Sequence, residues 1–145
     1  MKVVVSACLL GHNCKYNGKN NKNEILLSFL SDKEVFPVCP EAPLPRPRRP
    51  VEWRAGRAVT DDGVDVTTEF TKGASIAWQT VLKQQPDLVI LQARSPSCGV
   101  NYIYDGTFTK HLIPGQGDFA ALVLANGYIV QEQQLDKEFF ILKKV

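Results

Sequence analysis

The sequence predicts an α/β fold, a three-layer sandwich with a mostly parallel sheet of the Rossmann or flavodoxin type. Short apolar segments rich in β-branched residues alternate along the chain with segments of helical periodicity. Apolar segments of this kind are typical of strands that are covered on both faces. Their alternation with helices favours parallel pairing through right-handed crossovers, which bring the carboxyl ends of the strands to one edge of the sheet.

In the first half of the chain, apolar clusters and prolines mark the elements. Residues 3–5 are a β-branched strand, and a polar loop over residues 11–23 leads to a helix over residues 24–30, whose apolar positions follow a 3.6-residue period. Residues 35–38 form a second strand. Because proline lacks the amide donor, the four prolines within residues 43–50 predict an extended loop.

The second half begins with a hairpin signal and a long amphipathic segment. The turn sequence Asp61-Asp62-Gly63 predicts a small hairpin within residues 51–66. Thr67 or Thr68 is predicted to cap a helix that runs to Gln84 with one apolar face. By the same signals, the remaining elements are a strand at residues 88–91, a helix at about residues 118–125 with Gly127 as its C-terminal cap, and a strand at residues 128–130.

Length and composition limit the class of protein. A chain of 145 residues with 44% hydrophobic and 22% charged residues predicts one globular domain, residues 1–145. The net charge of +2 gives no reason to expect binding to a nucleic-acid duplex, and no apolar run is long enough to cross a membrane. The apolar stretch before Ser6 is too short for a secretion signal, so we expect a cytoplasmic protein.

Three of the four cysteines follow predicted strands. Cys8 follows the first strand, Cys39 the second, and Cys98 lies in the loop after residues 88–91, while Cys14 lies in the first loop. Parallel strands would therefore bring three thiols to one edge of the sheet. Small buried hydrophobic residues, a zinc site and an iron–sulfur cluster all remain open, because the spacing of the cysteines does not choose between them.

Other polar residues are predicted near the same edge. Glu41 follows Cys39-Pro40 and is a candidate acid or base, and the loop Ser95-Pro96-Ser97-Cys98-Gly99 directs hydroxyls and amides toward the proposed pocket. A hydrolase with Cys98 as nucleophile is a further alternative, although neither His12 nor His111 is paired with it by sequence.

Basic, glycine and aromatic residues complete the set of candidates. An arginine concentration suits a phosphate or carboxylate substrate; its members are Arg46, Arg48, Arg49, Arg54 and Arg57. Gly115 and Gly117 could present amides to an anion at the start of a helix. The rings of Tyr102, Tyr104 and Phe108 could stack on a substrate ring or fill the core.

Blocks of the sequence resemble a small bacterial family that includes the [4Fe-4S] thiouracil desulfidases. The matching blocks are Ser6-Ala7-Cys8-Leu9-Leu10-Gly11, Cys14-Lys15-Tyr16-Asn17-Gly18, Cys39-Pro40-Glu41, Pro45-Arg46-Pro47 and Ser95-Pro96-Ser97-Cys98-Gly99. The chain departs from the family pattern after Glu41, where only Ala42-Pro43-Leu44 replaces a glycine-containing insert and Arg48 and Arg49 are extra. A different pocket wall is expected there.

The resemblance implies a [4Fe-4S] cluster on Cys8, Cys39 and Cys98, with one iron open to the sulfur of the substrate and with Cys14 unligated. It also implies acid–base work by Glu41 and Ser95, with Ser97 as the competing hydroxyl. The function it implies is a non-redox desulfidase that hydrolyses the C–S bond of a thiolated pyrimidine base or nucleotide. The alternative is a non-catalytic zinc- or cluster-binding module in metal or sulfur handling.

Overall fold

A central sheet of four parallel strands organises the part of the chain that the computed structural model describes, residues 1–44 and 48–133. The strands of the described part, in chain order, are β1 (Lys2–Ser6), β2 (Glu34–Val38), β3 (Val51–Arg54), β4 (Arg57–Thr60), β5 (Leu88–Gln92), β6 (Tyr102–Tyr104), β7 (Leu112–Pro114) and β8 (Val130–Gln133). Four of them form the central sheet, and the other four form two hairpins. The helices are α1 (Glu24–Leu30), α2 (Thr67–Gln84) and α3 (Asp118–Ala125). The sheet order is β2-β1-β5-β8, and every neighbouring pair in it is parallel.

Helices cover both faces of this sheet because successive side chains of a strand point to opposite sides. On one face, Val3, Val5 and Ile90 pack against Leu26 and Leu30 of α1. On the other face, a second cluster joins the sheet to α2 and α3; it includes Val4, Val89, Leu91, Ala77, Val81 and Phe119. The predicted three-layer α/β sandwich is confirmed. The single domain over residues 1–145 stays a prediction, since residues 134–145 lie outside the described part.

The bounds predicted for all three helices agree with the structure, but one predicted cap is wrong. Neither Thr67 nor Thr68 caps α2; Val66 occupies the N-cap position, and its side chain cannot accept a hydrogen bond. The Thr67 hydroxyl instead accepts from the amide of Ala58 at 2.9 Å, while the Asp65 carboxylate accepts from the amide of Thr67. The start of α2 is therefore fastened to the neighbouring strand β4.

The segment in which a hairpin around Asp61-Asp62-Gly63 was predicted contains two turns, one at Ala55-Gly56 and one at Asp61-Asp62-Gly63. Strands β3 and β4 pair antiparallel and are joined by Ala55 and Gly56, whose φ angles are 49° and 78°. Two successive positive φ angles define the turn that matches the twist of a two-residue hairpin. The Asp61–Gly63 turn follows β4 and also reverses the chain, as predicted. The amide of Thr60 donates to the carbonyl of Val64 at 2.9 Å, and Val59 pairs antiparallel with Asp65 before α2 begins.

The carboxyl-terminal half differs from the prediction in two places. The last strand was expected at residues 128–130, whereas β8 begins at Val130. A second hairpin, β6–β7, was not predicted because its two strands have three residues each. Within the described residues, none of the helices has the length and apolarity that crossing a lipid bilayer requires.

Candidate active site

A cavity of about 520 Å³ opens at the carboxyl ends of β1, β2 and β5. Its walls come from the segments that follow these strands and from the β3 and β6–β7 hairpins. This is the edge at which ligands bind in open parallel sheets. The cavity is within the size range of small-molecule sites.

All four cysteines line this cavity. Cys8 lies in a 3-10 helix directly after β1, Cys39 follows β2, and Cys98 follows β5. Cys14 comes from the long first loop, and its thiol is hydrogen-bonded to those of Cys39 and Cys8. The fold thus brings together the three thiols that the sequence placed at one sheet edge, with the fourth between two of them. None of the four forms a disulfide.

Three of the four thiols have a raised pKa, which favours their protonated form. Burial is the main cause that raises the pKa of Cys98 to about 12. The hydrogen bond with Cys14, followed by burial, raises the pKa of Cys39. The pKa of Cys14 rises to about 11; its contact with Cys39 opposes the rise, while its contact with Cys8 and its burial favour it. A soft metal centre would have to release these protons on binding.

The donor set fits an iron–sulfur cluster. Thiolates are the ligands of such clusters, and four free thiols face one cavity here. Across residues 1–44 and 48–133, no three His, Cys, Asp or Glu side chains are grouped at the spacing that a single metal ion needs. A cluster spreads its thiolates over several iron atoms, so it accepts ligands that are further apart.

Glu41 and two serines form a hydrogen-bonded group beside the thiols. The Ser97 hydroxyl donates to Oε2 of Glu41 at 2.8 Å, and the Ser95 hydroxyl donates to the same oxygen at 3.3 Å. The Ser95 oxygen also accepts from the amides of Ser97 and Cys98, at 3.2 and 3.1 Å. Ser95 therefore fixes the shape of the Cys98 loop, while the buried Ser97 makes the shorter contact with the carboxylate.

Close backbone approaches position these two segments. Gly73 of α2 lies against the Cys39–Glu41 segment, and a Cβ there would stand 1.6 Å from the carbonyl oxygen of Pro40. Gly117, just before α3, lies against the Cys98 loop, where a Cβ would stand 2.3 Å from the carbonyl carbon of Ser97. Both contacts require glycine, because no larger residue leaves room for the neighbouring backbone.

The model of the 2-thiouracil desulfurase family matches residues 3–134. The chain belongs to the 2-thiouracil desulfurase family. The resemblance seen in the sequence blocks is thereby confirmed, and the match spans nearly the whole described structure.

Two relatives extend this result. The uncharacterized protein YbbK of Bacillus subtilis (strain 168) is 34% identical over 147 residues, which cover 92% of this chain and 97% of YbbK. Among solved structures, the [4Fe-4S]-dependent thiouracil desulfidase TudS superposes with a TM-score of 0.80 at 36% identity. The match covers 91% of this chain and 90% of the TudS chain.

Two of the residues predicted to bind substrate, Gly115 and Gly117, do not line the cavity. Gly117 packs behind the Cys98 loop, and Gly115 lies against the side chain of Ile103. Arg46 lies outside the described residues. For all three, a role in substrate binding stays a prediction.

The described arginines of the basic segment have acceptors within the protein. Arg48 is buried and donates to the carbonyl oxygens of Glu41, at 2.9 Å, and of Cys14. Arg49 pairs with Asp61 at 2.6 Å. Arg54 donates to the carbonyl of Gly106, and Arg57 pairs with Asp65. Arg49 also lines the cavity, and a role of this segment in binding a phosphate stays a prediction.

Four polar residues of this family member were not singled out from the sequence. Gln92 accepts from Asn21 at 3.0 Å, and the amide of Asn21 also approaches the Cys8 sulfur at 3.9 Å. Gln92 follows four apolar residues of β5 at the ligand-binding edge. A polar residue at the end of a buried strand could have been recognised from the sequence as a candidate for the site. Asn21 lies in a polar loop, where nothing in the pattern distinguishes it. Glu52 also lines the cavity, and Asp118 lies behind it.

The nucleophilic alternative for Cys98 lacks its requirements. A cysteine nucleophile needs a lowered pKa and an adjacent base. The Cys98 thiol is buried and its pKa is raised. Both histidines are exposed, and neither is among the residues that line the cavity.

Proposed function

We propose that this chain hydrolyses the carbon–sulfur bond of a thiolated pyrimidine, with a [4Fe-4S] cluster bound by Cys8, Cys39 and Cys98. The desulfidase activity and the [4Fe-4S] cofactor predicted from the sequence are confirmed by the family match and by the similarity to TudS. These findings favour the enzyme over a non-catalytic module that handles metal or sulfur. The observation that carries the site assignment is the convergence of thiols, carboxylate and hydroxyls on one cavity.

Three thiols suit the role of ligands better than the fourth. Cys8, Cys39 and Cys98 each follow a parallel strand, so the sheet itself sets their positions. The position of Cys14 depends on a loop, which is held by a hydrogen bond from Arg48 and by short backbone turns. A [4Fe-4S] cluster held by these three thiolates would supply Lewis-acid chemistry toward the thiocarbonyl sulfur.

Glu41 is the general base in this proposal. Its carboxylate takes a proton from water as the water oxygen forms a bond to the thiocarbonyl carbon. The carbon–sulfur bond then breaks, so that a thiocarbonyl and water yield a carbonyl and hydrogen sulfide. No atom changes its oxidation state, and the chain needs no electron donor. Base catalysis of this kind contributes about 10²–10⁴-fold to the rate.

The two serines orient the base and the substrate. The Ser97 hydroxyl donates to Oε2 of Glu41 and leaves the other carboxylate oxygen for water. Ser95 holds the amides of Ser97 and Cys98, and its own proton points toward Glu41. Ser95 is therefore placed to relay a proton between the carboxylate and the substrate.

The substrate in this proposal is a thiolated pyrimidine nucleotide, with the free base as a smaller alternative. The cavity is larger than a single six-membered ring requires. Besides Arg49, which is paired with Asp61, three cationic side chains line it: Lys15, Arg94 and Lys110. Cationic donors favour a phosphate. Their presence takes the place of the arginine segment as support for a phosphorylated substrate.

A substrate panel tests this proposal. Anaerobically reconstituted protein is incubated with 2-thiouracil, 4-thiouracil and the corresponding nucleosides and 5′-monophosphates, and both sulfide release and loss of thiocarbonyl absorbance are measured. We expect conversion to the oxo-pyrimidine with one sulfide per product. Absence of turnover on every thiolated pyrimidine, from protein that carries its cluster, would contradict the proposed function.

Charge variants test the nucleotide. Lys15→Met combined with Lys110→Met is expected to raise KM for the monophosphate about tenfold, because a lost hydrogen bond to a charged group has about this effect. KM for the free base should not change. Lys19→Met is the matched control, since Lys19 lies in the same loop as Lys15 but outside the cavity. An equal change in KM for the free base and for the monophosphate would favour the free base as substrate.

A further inference from the structure

One wall of the cavity is built by the loop between β6 and β7. Tyr104, Phe108 and Lys110 line the cavity, and the Phe108 ring is half-buried there. Tyr102, in the same hairpin, is 49% exposed and lies outside the cavity. Of the aromatic residues in this hairpin, Tyr104 and Phe108 therefore face the space in which a pyrimidine ring would lie.

The backbone of this loop is held in an unfavourable conformation. Phe108 has a φ of 59° and Lys110 a φ of 62°, values that bulky residues rarely adopt. Such strain persists only where surrounding contacts impose it, and it concentrates at ligand-binding positions. The strain at Phe108 therefore needs a structural cause.

Glu52 is that cause. Its side chain is 9% exposed, and one carboxylate oxygen accepts from the amides of Gly106 at 2.9 Å and of Phe108 at 3.1 Å. The Gly106 carbonyl accepts in turn from Arg54 at 2.9 Å. The Glu52 carboxylate thus fixes the backbone on which the Phe108 ring is mounted.

The same strand connects this wall to the catalytic loop. The Trp53 indole donates to the carbonyl of Pro96 at 2.7 Å, between Ser95 and Ser97. Neighbouring residues of β3 therefore fix the Phe108 loop and the serine loop relative to each other. Strand β3 therefore sets the distance between the Phe108 ring and the hydroxyls of Ser95 and Ser97.

We infer that Phe108 is a specificity-determining residue that stacks on the pyrimidine ring, and that Glu52 is the positioning residue that holds it. This inference rests on the proposed function and names the part of the site that recognises the ring. A ring face is recognised by stacking and by apolar contact, whereas the thiocarbonyl is handled at the thiols and Glu41 on another wall of the cavity.

Substitutions at Phe108 distinguish stacking of its ring on the substrate from simple apolar contact. Phe108→Leu keeps an apolar side chain without a ring face, and we expect KM for the thiolated pyrimidine to rise about tenfold, in line with the contribution of base stacking. The change in kcat should be smaller, and the visible spectrum of the cluster should be retained. Phe108→Tyr keeps the ring and should restore KM. Tyr102→Leu, in the same hairpin, is the control and should match the wild type.

Substitutions at Glu52 test the positioning. Glu52→Gln keeps a carbonyl oxygen that can accept from the two amides, so KM should stay near that of the wild type. Glu52→Ala removes the acceptor and should raise KM as Phe108→Leu does, again with a smaller change in kcat. If Glu52→Ala acts through Phe108, combining it with Phe108→Leu should add little to either single change.

Equilibrium dialysis with uracil provides a readout that does not require turnover. The reconstituted wild type should bind uracil about tenfold more tightly than Phe108→Leu, and Tyr102→Leu should bind like the wild type. Equal uracil binding by the wild type and Phe108→Leu would overturn the inference. That outcome is distinct from failure of the proposed function, which is an absence of sulfide release by the wild type.

Discussion

Ser97 donates a 2.8 Å hydrogen bond to Glu41, a residue that lies 56 positions earlier in the chain. The contact joins the segment after β2 to the loop after β5, and each of these segments also carries a cysteine of the cavity. The carboxylate that we propose as the general base and two thiols are therefore held by one set of contacts. Glu41 contacts the serines through its carboxylate. A substitution that changes only this carboxylate should therefore alter the proton transfer and leave cluster binding unchanged.

Glu41→Gln should abolish turnover without loss of the cluster. The amide keeps the size of the side chain but cannot take a proton from water, so kcat should fall about 10²–10⁴-fold. Iron content and the visible spectrum should match the wild type. Glu69→Gln, in the first turn of α2 and outside the cavity, is the control. Loss of the cluster in Glu41→Gln would show that Glu41 has a structural role instead.

Ser95→Ala should lower stability as well as activity, whereas Ser97→Ala should lower activity alone. Ser95→Ala leaves the amides of Ser97 and Cys98 without their acceptor, and an unsatisfied buried donor costs about 1–3 kcal/mol. We therefore expect lower stability and weaker cluster retention together with lower activity. Ser97→Ala removes the shorter contact with Glu41 and should lower kcat while the cluster is retained. Thermal unfolding and iron content distinguish the two variants; identical losses in both would contradict this division.

Arg48→Met should destabilise the site more than the substitution of an exposed arginine does. Buried Arg48 joins the Cys14 loop to the carbonyl of Glu41, and loss of these charged hydrogen bonds should lower the free energy of unfolding by about 2 kcal/mol. Arg57→Met is the matched control, because the Arg57–Asp65 pair is exposed and such pairs contribute about 0–1 kcal/mol. Urea unfolding measures both. Equal effects would mean that Arg48 does not hold the two segments together.

Asp118 should make the stability of the fold depend on pH. Burial, with a smaller contribution from Glu41, raises the pKa of this carboxyl to about 7, and its Oδ2 is buried without a hydrogen bond within the described residues. An unfolded aspartate titrates near pH 4, so the folded chain holds this proton more tightly. The resulting stabilisation is fully present below about pH 4 and is lost as the pH rises through about 7.

Asp118→Asn removes this titration. The free energy of unfolding of the variant, relative to the wild type, should therefore be higher at pH 8 than at pH 5. Urea unfolding at the two pH values measures the difference. A difference that is the same at both pH values would contradict the titration of Asp118 in this range.

The regular elements were predictable because local signals determine them. The bounds of α1, α2 and α3 follow from apolar periodicity, and the parallel sheet follows from short buried strands between helices. The turn at Asp61-Asp62-Gly63 was predictable from its local signal, whereas the turn at Ala55-Gly56 was missed. Ala55 adopts a positive φ only because the β3–β4 pairing imposes it.

The site was predictable up to the sheet edge but not beyond it. Parallel strands require Cys8, Cys39 and Cys98 to meet at one edge, so their convergence could be expected from the sequence. The contact of Ser97 with Glu41 and the burial of Arg48 depend on how separate loops meet, which no local pattern records. For the same reason, Arg48 was predicted only as part of a basic segment that suits an anionic substrate.

The ligand set is tested most directly by the iron content of the four single Cys→Ser variants after anaerobic reconstitution. Serine at position 8, 39 or 98 should abolish the cluster spectrum and sulfide release from a thiolated pyrimidine. Cys14→Ser should retain four iron atoms per chain and the spectrum of the wild type. A cluster that survives the loss of Cys8, Cys39 or Cys98, or that disappears with Cys14, would contradict the proposed ligand set.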